Sequence, residues 1–285
     1  MNTSKFRIHI GCHKTATTFF QNCLSLNETS LLSKGVLYIN RDTYRTIVRP
    51  VLNFGSAGVE FLELKEKIDA AEVVLISDES ISGRPLDIFE KELYPNLECK
   101  LTRLLEVLNI AEFELFLSVR KYSSIYGSTY SQVLRGGSDL RNSAVFAFNE
   151  VRENLIEHEY IYSRLINRIR ERFDVPVNVI KFEDITNRTN VCLEKFASVA
   201  VDRVLEKTPR RTKGFSPKAV RRILAIKQAD WLSFKLKMAL IEILIATDFN
   251  NEKFTGFDAT EIERLDELYQ ADLSEISQMV GVSII

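Results

Sequence analysis

The stretch RIHIGCHKTATTFF, from Arg7 to Phe20, contains the strongest structural pattern of the chain. Apolar residues alternate at Phe6, Ile8 and Ile10, which predicts a short buried strand that stops at Gly11. A small, hydroxyl-rich turn and then a helical pattern follow. Strand, tight turn and helix in this order are typical of an anion-binding loop. The first amides of a helix lack partners, and the helix dipole adds positive charge there.

The side chains of this turn suit a phosphate. Lys14 adds a full positive charge, and Thr15, Thr17 and Thr18 add hydroxyl donors. A Walker A loop needs a glycine directly before its lysine, and this chain has His13 there, so the match to a nucleotide triphosphatase is poor. The simpler alternative is an ordinary strand-to-helix turn in which threonines cap the helix.

Composition narrows the class of protein. With 285 residues, 45% of them hydrophobic, the chain can bury a full α/β core, and its net charge of −1 argues against general nucleic-acid binding. Four scattered cysteines and three histidines form no zinc pattern and favour free thiols in a reducing cytoplasm. We also expect no signal peptide, because residues 1–5 run straight into the first predicted strand. No integral membrane segment is expected, because the most apolar run, Met238 to Ala246, is too short and contains Glu242.

Apolar runs alternate with helical patterns along the chain. The runs predict five strands, at residues 6–10, 35–39, 73–76, 113–117 and 177–180. We therefore predict an α/β fold, a doubly wound, mostly parallel five-stranded sheet flanked by helices. One domain is expected, with an α/β core over residues 1–205 and a helical C-terminal extension over residues 206–285. Long helical regions are expected from Pro85 to about Leu108 and from Pro217 to Ala246, the latter with Trp231 as a packing anchor.

A second anion signal follows the fourth predicted strand. Ligands of such sheets lie beyond the carboxyl ends of the strands, and Arg120 stands at this position. Ser128 follows eight residues later, about two turns into a helix. Arginine suits phosphate because its planar fork donates two directed hydrogen bonds. The alternative is a surface arginine near an ordinary helix serine.

Both signals resemble one family. The order from Gly11 through Lys14 to Thr18 resembles the 5′-phosphosulfate loop of sulfotransferases that use 3′-phosphoadenosine 5′-phosphosulfate (PAPS), roughly G-x-x-K-[ST]-G-T-T, with Ala16 replacing the usual glycine. Arg120 and Ser128, with Tyr130 and Gln132 after them, resemble the 3′-phosphate element of the same enzymes. Weaker likenesses continue toward the C-terminus, so the resemblance covers most of the chain, and bacterial carbohydrate-type members are the most similar.

The resemblance implies a P-loop sulfotransferase-like fold with PAPS as co-substrate. Phe182 lies where family members place a tyrosine near the adenine, and Phe19 either stacks on adenine or packs in the core. The basic loop before Ser216 resembles one that closes on the 3′-phosphate in the family. Ser216 and Pro217 are also typical of the start of a helix, as N-cap and first helical residue. The residues implied in PAPS binding are Gly11, Lys14, Thr15, Ala16, Thr17, Thr18, Phe19, Arg120, Ser128, Phe182, Arg211, Lys213 and Gly214.

The implied chemistry is in-line sulfuryl transfer to an acceptor hydroxyl. Lys14 is expected to stabilise the charge on the leaving oxygen. Glu79, after the third strand, is the preferred general base, although it could instead cap a helix. His13 is the second candidate, kept neutral by the neighbouring lysine charge, and Asp42 is the third.

The sequence thus predicts a cytoplasmic, PAPS-dependent sulfotransferase that needs no metal and acts on a small-molecule or glycan acceptor. Residues Arg135 to Asn142 are expected to form a lid over the site. One alternative is a P-loop kinase that uses ATP and Mg²⁺. Another is a nucleotide-binding protein that keeps the fold without catalysis.

Overall fold

The computed structural model describes residues 5–135, 148–157, 161–205, 214–248 and 252–285. Its described strands form one parallel sheet in the order β2-β3-β1-β4-β5-β6. The strands are β1 (Lys5–Gly11), β2 (Val36–Ile39), β3 (Val73–Ser77), β4 (Phe113–Val119), β5 (Val177–Lys181) and β6 (Val282–Ile284). The predicted α/β class, the parallel sheet and the five predicted strands are confirmed, and β6 is an additional strand that the sequence pattern did not reveal.

Helices cover both faces of this sheet. A π-helical turn (Tyr44–Val48) and a 3₁₀ turn (Pro85–Ile88) interrupt the series. The helices of the described residues are α1 (Thr17–Leu26), α2 (Glu28–Ser33), α3 (Arg41–Thr43), α4 (Arg49–Phe54), α5 (Val59–Ala70), α6 (Leu97–Leu108), α7 (Tyr122–Arg135), α8 (Phe148–Glu157), α9 (Ile161–Phe173), α10 (Phe182–Asn187), α11 (Thr189–Ala197), α12 (Pro217–Gln228), α13 (Phe234–Thr247) and α14 (Ala259–Gln278).

Alternation along the central strands divides the core into two layers. In β1, Ile8 and Ile10 belong to the larger apolar cluster, which lies on one face of the sheet. Phe116 of β4 belongs to a smaller cluster on the other face, with Phe20 of α1 and Phe196 of α11. Side chains of a strand point alternately to its two faces, and both faces are covered here. This explains why the strands read as almost uninterrupted apolar runs.

Two predicted helical regions are divided in the structure. The region from Pro85 begins with a 3₁₀ turn, and α6 starts only at Leu97, because Tyr94 has a left-handed backbone (φ 51°) that no right-handed helix can continue through. The region from Pro217 divides into α12 and α13, since Ser233 caps a new helix by accepting a hydrogen bond from the Leu236 amide.

The prediction that Trp231 packs in the core is wrong. This residue lies in the turn between α12 and α13, and 83% of its surface is exposed. If one helix continued through Trp231, as predicted, its side chain could lie on the face that packs against the core. The break at Ser233 removes that possibility, because the connecting turn runs over the surface.

The C-terminal part contributes to the sheet as well as to the helical layer. β6 pairs with β5 in parallel, with Val282 opposite Val177, and α14 packs against α7 and α9. The predicted helical extension therefore also supplies an edge strand. Within the described residues, no helix combines the length and the apolarity needed to cross a membrane.

Candidate anion-binding site

The loop between β1 and α1 has an unusual backbone. Lys14 and Ala16 both adopt left-handed conformations, with φ of 68° and 62°. Gly11 precedes them in a tight position, because a Cβ built there would lie 2.0 Å from Cγ2 of Thr17. The chain thus turns sharply from the strand into the helix. Ala16 is the N-cap of α1 and has no side-chain oxygen, so it cannot cap the first amides of that helix.

The hydroxyl and aromatic residues of the loop have different environments. Thr15 is buried, and its hydroxyl donates to the Cys12 carbonyl at 2.6 Å, which stabilises the turn itself. Thr17 is buried as well, whereas Thr18 is exposed. Phe19 is 8% exposed and packs in the smaller apolar cluster. Of these four residues, Thr18 is the one whose side chain is accessible to a ligand without rearrangement.

Arg120 connects the loop to the next strand. It follows β4, which is the neighbour of β1, and its Nη1 donates to the Lys14 carbonyl at 2.8 Å. Its Nε donates to the hydroxyl of Ser124 at 2.8 Å, and its guanidinium lies 4.3 Å from the ring centroid of Phe182. Ser128 is half-buried one helical turn beyond Ser124. The structure therefore brings Lys14, Arg120 and Phe182 together at the carboxyl ends of three adjacent strands.

A buried network fixes the backbone of Arg120. The hydroxyl of Tyr162, in α9, donates to the Arg120 carbonyl at 2.7 Å and accepts from the Arg120 amide at 3.3 Å. The amides of Tyr162 and Ser163 donate to the carboxylate of Asp272, in α14, at 2.9 and 3.0 Å. Asp272 is fully buried and also accepts from Tyr122. The sequence analysis missed this network, whose members lie far apart along the chain.

The charge around Lys14 is predominantly positive. Burial, together with the charges of the nearby Arg135 and Arg120, lowers the pKa of Lys14 to about 8, and Glu79 opposes the shift. Arg135 was not among the predicted ligands, although it lies at the end of α7, and its guanidinium is 5.0 Å from the ring centroid of Phe215. Three cations thus converge on one loop, an arrangement that favours an anionic ligand.

Glu79 lies beside this cationic group. It follows β3, and its carboxylate is 3.2 Å from Nη2 of Arg45 and 3.2 Å from Nε2 of Gln21. Arg45 also binds the buried Asp78, at 2.7 Å. Because Arg45 comes from the π-helical turn after β2 and Gln21 from α1, two different elements hold the Glu79 carboxylate in place.

His13 has a different environment from the one expected. Its ring is buried, and Nε2 lies 3.2 Å from the carbonyl of Gly83 and therefore carries a proton. Burial is the main cause that lowers the pKa of His13, and the Gly83 carbonyl and the carboxylates of Glu79, Asp87 and Asp78 act in the opposite direction. The expectation that the lysine charge keeps it neutral named the wrong cause.

The remaining predicted residues lie after β2, before α12 or outside the described residues. Asp42 has a largely exposed carboxylate 3.7 Å from Nε of Arg41. Arg211 and Lys213 lie outside the described residues, as does the predicted lid beyond Arg135. Gly214 is half-buried and precedes Ser216, whose hydroxyl accepts from the Ala219 amide and caps α12 as predicted.

Two further observations bear on ligands. No cluster of three or more histidine, cysteine, aspartate or glutamate side chains suited to a metal ion occurs among the described residues. A cavity of about 410 Å³ lies at the amino ends of the strands, on the far side from the loop, where Arg7, Glu114 and Asn178 are among its lining residues. The group formed by Lys14, Arg120 and Arg135 lies instead at the carboxyl ends of the strands.

Comparison with known proteins found similar chains among solved structures. No family model and no curated protein matches this chain. Among solved structures, a sulfotransferase from Alicyclobacillus acidocaldarius is similar, with a TM-score of 0.42 and 16% sequence identity, over 87% of this chain and 98% of that chain. The parallel sheet flanked by helices defines the class of protein as α/β.

Proposed function

We propose that the chain is a PAPS-dependent sulfotransferase that transfers the sulfuryl group to an acceptor hydroxyl in the cytoplasm. One observation carries the proposal. Nη1 of Arg120 donates to the carbonyl of Lys14, so the two elements for which the sequence predicts anion binding are in direct contact. A ligand that carries phosphate groups at both ends of a ribose would engage both elements at once. PAPS has this arrangement, whereas ATP carries its phosphates in one chain.

Each proposed contact follows from the position of a side chain. The amides at the start of α1 and the ammonium of Lys14 would bind the 5′-phosphosulfate, with the hydroxyl of Thr18 available at the surface of the loop. Arg120 and Ser128 would bind the 3′-phosphate. The ring of Phe182, already against the Arg120 guanidinium, would lie near the adenine.

The reaction breaks the bond between sulfur and the bridging phosphate oxygen as the acceptor oxygen attacks the sulfur in line. The leaving oxygen of adenosine 3′,5′-bisphosphate gains negative charge, which Lys14 would stabilise more in the transition state than in the ground state. Glu79 would accept the proton of the acceptor hydroxyl. It is the preferred base because it is a neighbour of Lys14 and is oriented by Arg45 and Gln21.

Calorimetric titration with adenosine 3′,5′-bisphosphate, without metal, tests the cofactor. We expect Arg120→Ala to lower the affinity for this ligand by about tenfold or more, since one charged hydrogen bond contributes about 1.5–3 kcal/mol. The same change should affect adenosine 5′-monophosphate much less. Arg164→Ala, which removes an exposed arginine of α9, is the matched control. Tighter binding of ATP with Mg²⁺ would instead support the kinase alternative.

A transfer assay with PAPS labelled in its sulfuryl group tests catalysis. The acceptors would be hydroxyl-bearing small molecules and oligosaccharides. We expect Glu79→Gln to lower kcat by about a hundredfold or more while leaving bisphosphate affinity close to that of the unaltered protein, as loss of a general base predicts. Bisphosphate binding without transfer to any acceptor would favour the non-catalytic alternative.

A further inference from the structure

Four of the eleven exposed large apolar residues in the described part of the chain lie in one structural unit, the α12–α13 hairpin, which spans residues 217–247. Trp231, at the tip between the helices, is 83% exposed, and Ile243 is 59% exposed. Phe234 and Leu236 are each nearly half exposed. Helix α13 consists mostly of apolar residues, yet Ile241 is its one fully buried member. Most apolar side chains of α13 are therefore at least partly accessible to solvent. Such a face is suited to an apolar environment.

The same hairpin is basic in an otherwise slightly acidic chain. Across residues 214–248 there are six basic residues and three acidic ones: Lys218, Arg221, Arg222, Lys227, Lys235 and Lys237 against Asp230, Glu242 and Asp248. This segment therefore has a net charge of +3, and because the whole chain has a net charge of −1, the remaining residues sum to −4. Four of the six, Lys218, Arg221, Arg222 and Lys235, are exposed.

We propose that the α12–α13 hairpin binds to the surface of membranes that contain anionic lipids. Helices with exposed tryptophan, phenylalanine and leucine beside lysine and arginine insert their apolar side chains at the boundary between headgroups and acyl chains. Tryptophan prefers this interfacial level, and each basic residue near the surface adds electrostatic attraction. Trp231 and Phe234 would enter the interface, with Lys235 and the arginines of α12 at the phosphate groups.

The charge of the hairpin argues against a second copy of the chain as its occupant. A two-fold dimer through this face would bring equal patches together, and so would bring two sets of exposed lysines and arginines near each other. An anionic surface neutralises these charges instead. The proposal does not depend on the sulfotransferase function, because none of the hairpin residues named here is among the proposed ligands of PAPS.

Trp231 is the single tryptophan of the chain and reports on its own environment. The emission of the protein would be recorded with vesicles of phosphatidylglycerol and phosphatidylcholine in equal amounts, and with vesicles of phosphatidylcholine alone. We expect a blue shift with the first and little change with the second. High salt should weaken the effect, because screening reduces the attraction between surface charges.

Vesicle co-sedimentation separates the contributions of charge and apolar surface. Two double variants should each reduce binding to anionic vesicles by about tenfold or more. One combines Arg221→Glu with Arg222→Glu, and the other combines Leu236→Ser with Ile243→Ser. The matched control is Leu32→Ser, since Leu32 is 58% exposed on α2, outside the hairpin. Unchanged binding of adenosine 3′,5′-bisphosphate, or unchanged thermal unfolding, would show that each variant is folded.

Three results would overturn the proposal. The first is the absence of binding to the anionic vesicles. The second is binding that survives the double charge reversal unchanged. The third is a dimer that sedimentation analysis detects without lipid, in which the emission of Trp231 is already blue-shifted. If the Leu236→Ser, Ile243→Ser variant loses this dimer, the surface binds a second copy of the chain.

Discussion

Ala16 occupies a position that glycine would tolerate better. Its φ of 62° lies in the left-handed region, where a residue with a Cβ is disfavoured by about 1–2 kcal/mol. We predict that Ala16→Gly raises the free energy of unfolding by about 0.5–1 kcal/mol, because relief of this strain outweighs the extra entropy that glycine adds to the unfolded chain. Denaturant unfolding of the two proteins measures the difference.

The control for this change is an alanine in ordinary helical conformation. Ala225, exposed in α12, meets that condition. Ala225→Gly should lower stability by about 1 kcal/mol. If the two substitutions shift stability in the same direction, the left-handed conformation of Ala16 is not the source of strain.

Lys14 makes anion binding depend on pH. Its pKa of about 8 in the unliganded protein means that it is mostly protonated at neutral pH. A bound phosphate favours the charged form and raises this pKa, so affinity is highest below pH 8 and falls as the pH rises above it. We predict a loss of up to about tenfold per pH unit above pH 8, until the pKa of the complex is reached.

Titration with adenosine 3′,5′-bisphosphate between about pH 7 and pH 9.5 measures this dependence. Lys14→Gln should bind more weakly at neutral pH and should show a flatter profile over the same range. A profile with the same slope in both proteins would assign the titration to a different group.

At the scale of secondary structure, Asp272 is the residue through which α14 holds α7 and α9. Its buried carboxylate accepts hydrogen bonds from Tyr122 and from the amides of Tyr162 and Ser163. We predict that Asp272→Ala lowers the free energy of unfolding by about 3 kcal/mol or more, since it leaves buried donors without a partner. Denaturant or thermal unfolding provides the measurement.

Asp266, on the same helix, is the comparison for this prediction. It binds Lys121, directly before α7, and Ser123 in α7, but it is partly exposed. Asp266→Ala should lower the free energy of unfolding by about 1 kcal/mol or less, as is usual for ion pairs accessible to water. Equal losses for the two variants would contradict the role assigned to Asp272.

At the scale of the whole molecule, His9 lies within the central strand and contacts the strands on both sides. Its Nδ1 is 2.8 Å from Oγ of Ser77, at the end of β3, and its Nε2 is 2.6 Å from Oγ of Ser118, in β4. Burial lowers its pKa from 6.5 to about 3. The imidazole is therefore neutral in the folded protein throughout the neutral and mildly acidic range.

This shift predicts how stability changes with pH. Below pH 6.5 the unfolded chain binds a proton at His9 that the folded chain does not, so stability falls as the pH decreases toward 3. Between pH 7 and pH 5 we expect this residue to account for a loss of about 2 kcal/mol. His9→Gln should be less stable at pH 7 but should show a smaller loss on acidification, which denaturant unfolding at both pH values would measure. An unchanged pH dependence would show that other groups dominate.

The sequence predicted those features whose signal lies in neighbouring residues. Alternation at Phe6, Ile8 and Ile10 located β1, and similar apolar runs located the other four predicted strands, because parallel strands covered on both faces are apolar over their whole length. The positions of Lys14 and Arg120 at strand ends followed from the same pattern. Their meeting at one site is a consequence of parallel strands that end at one edge of the sheet.

Tertiary structure alone decided the remaining features. β6 is only three residues long and contains Ser283, so it has no apolar run to find, and it becomes a strand because β5 offers a free edge. Asp272 acts on Tyr122, which precedes it by 150 residues, and Arg135, which is far from Lys14 in the sequence, lies close enough to lower its pKa. Patterns of neighbouring residues report local conformation, whereas contacts between distant residues depend on how the whole chain packs.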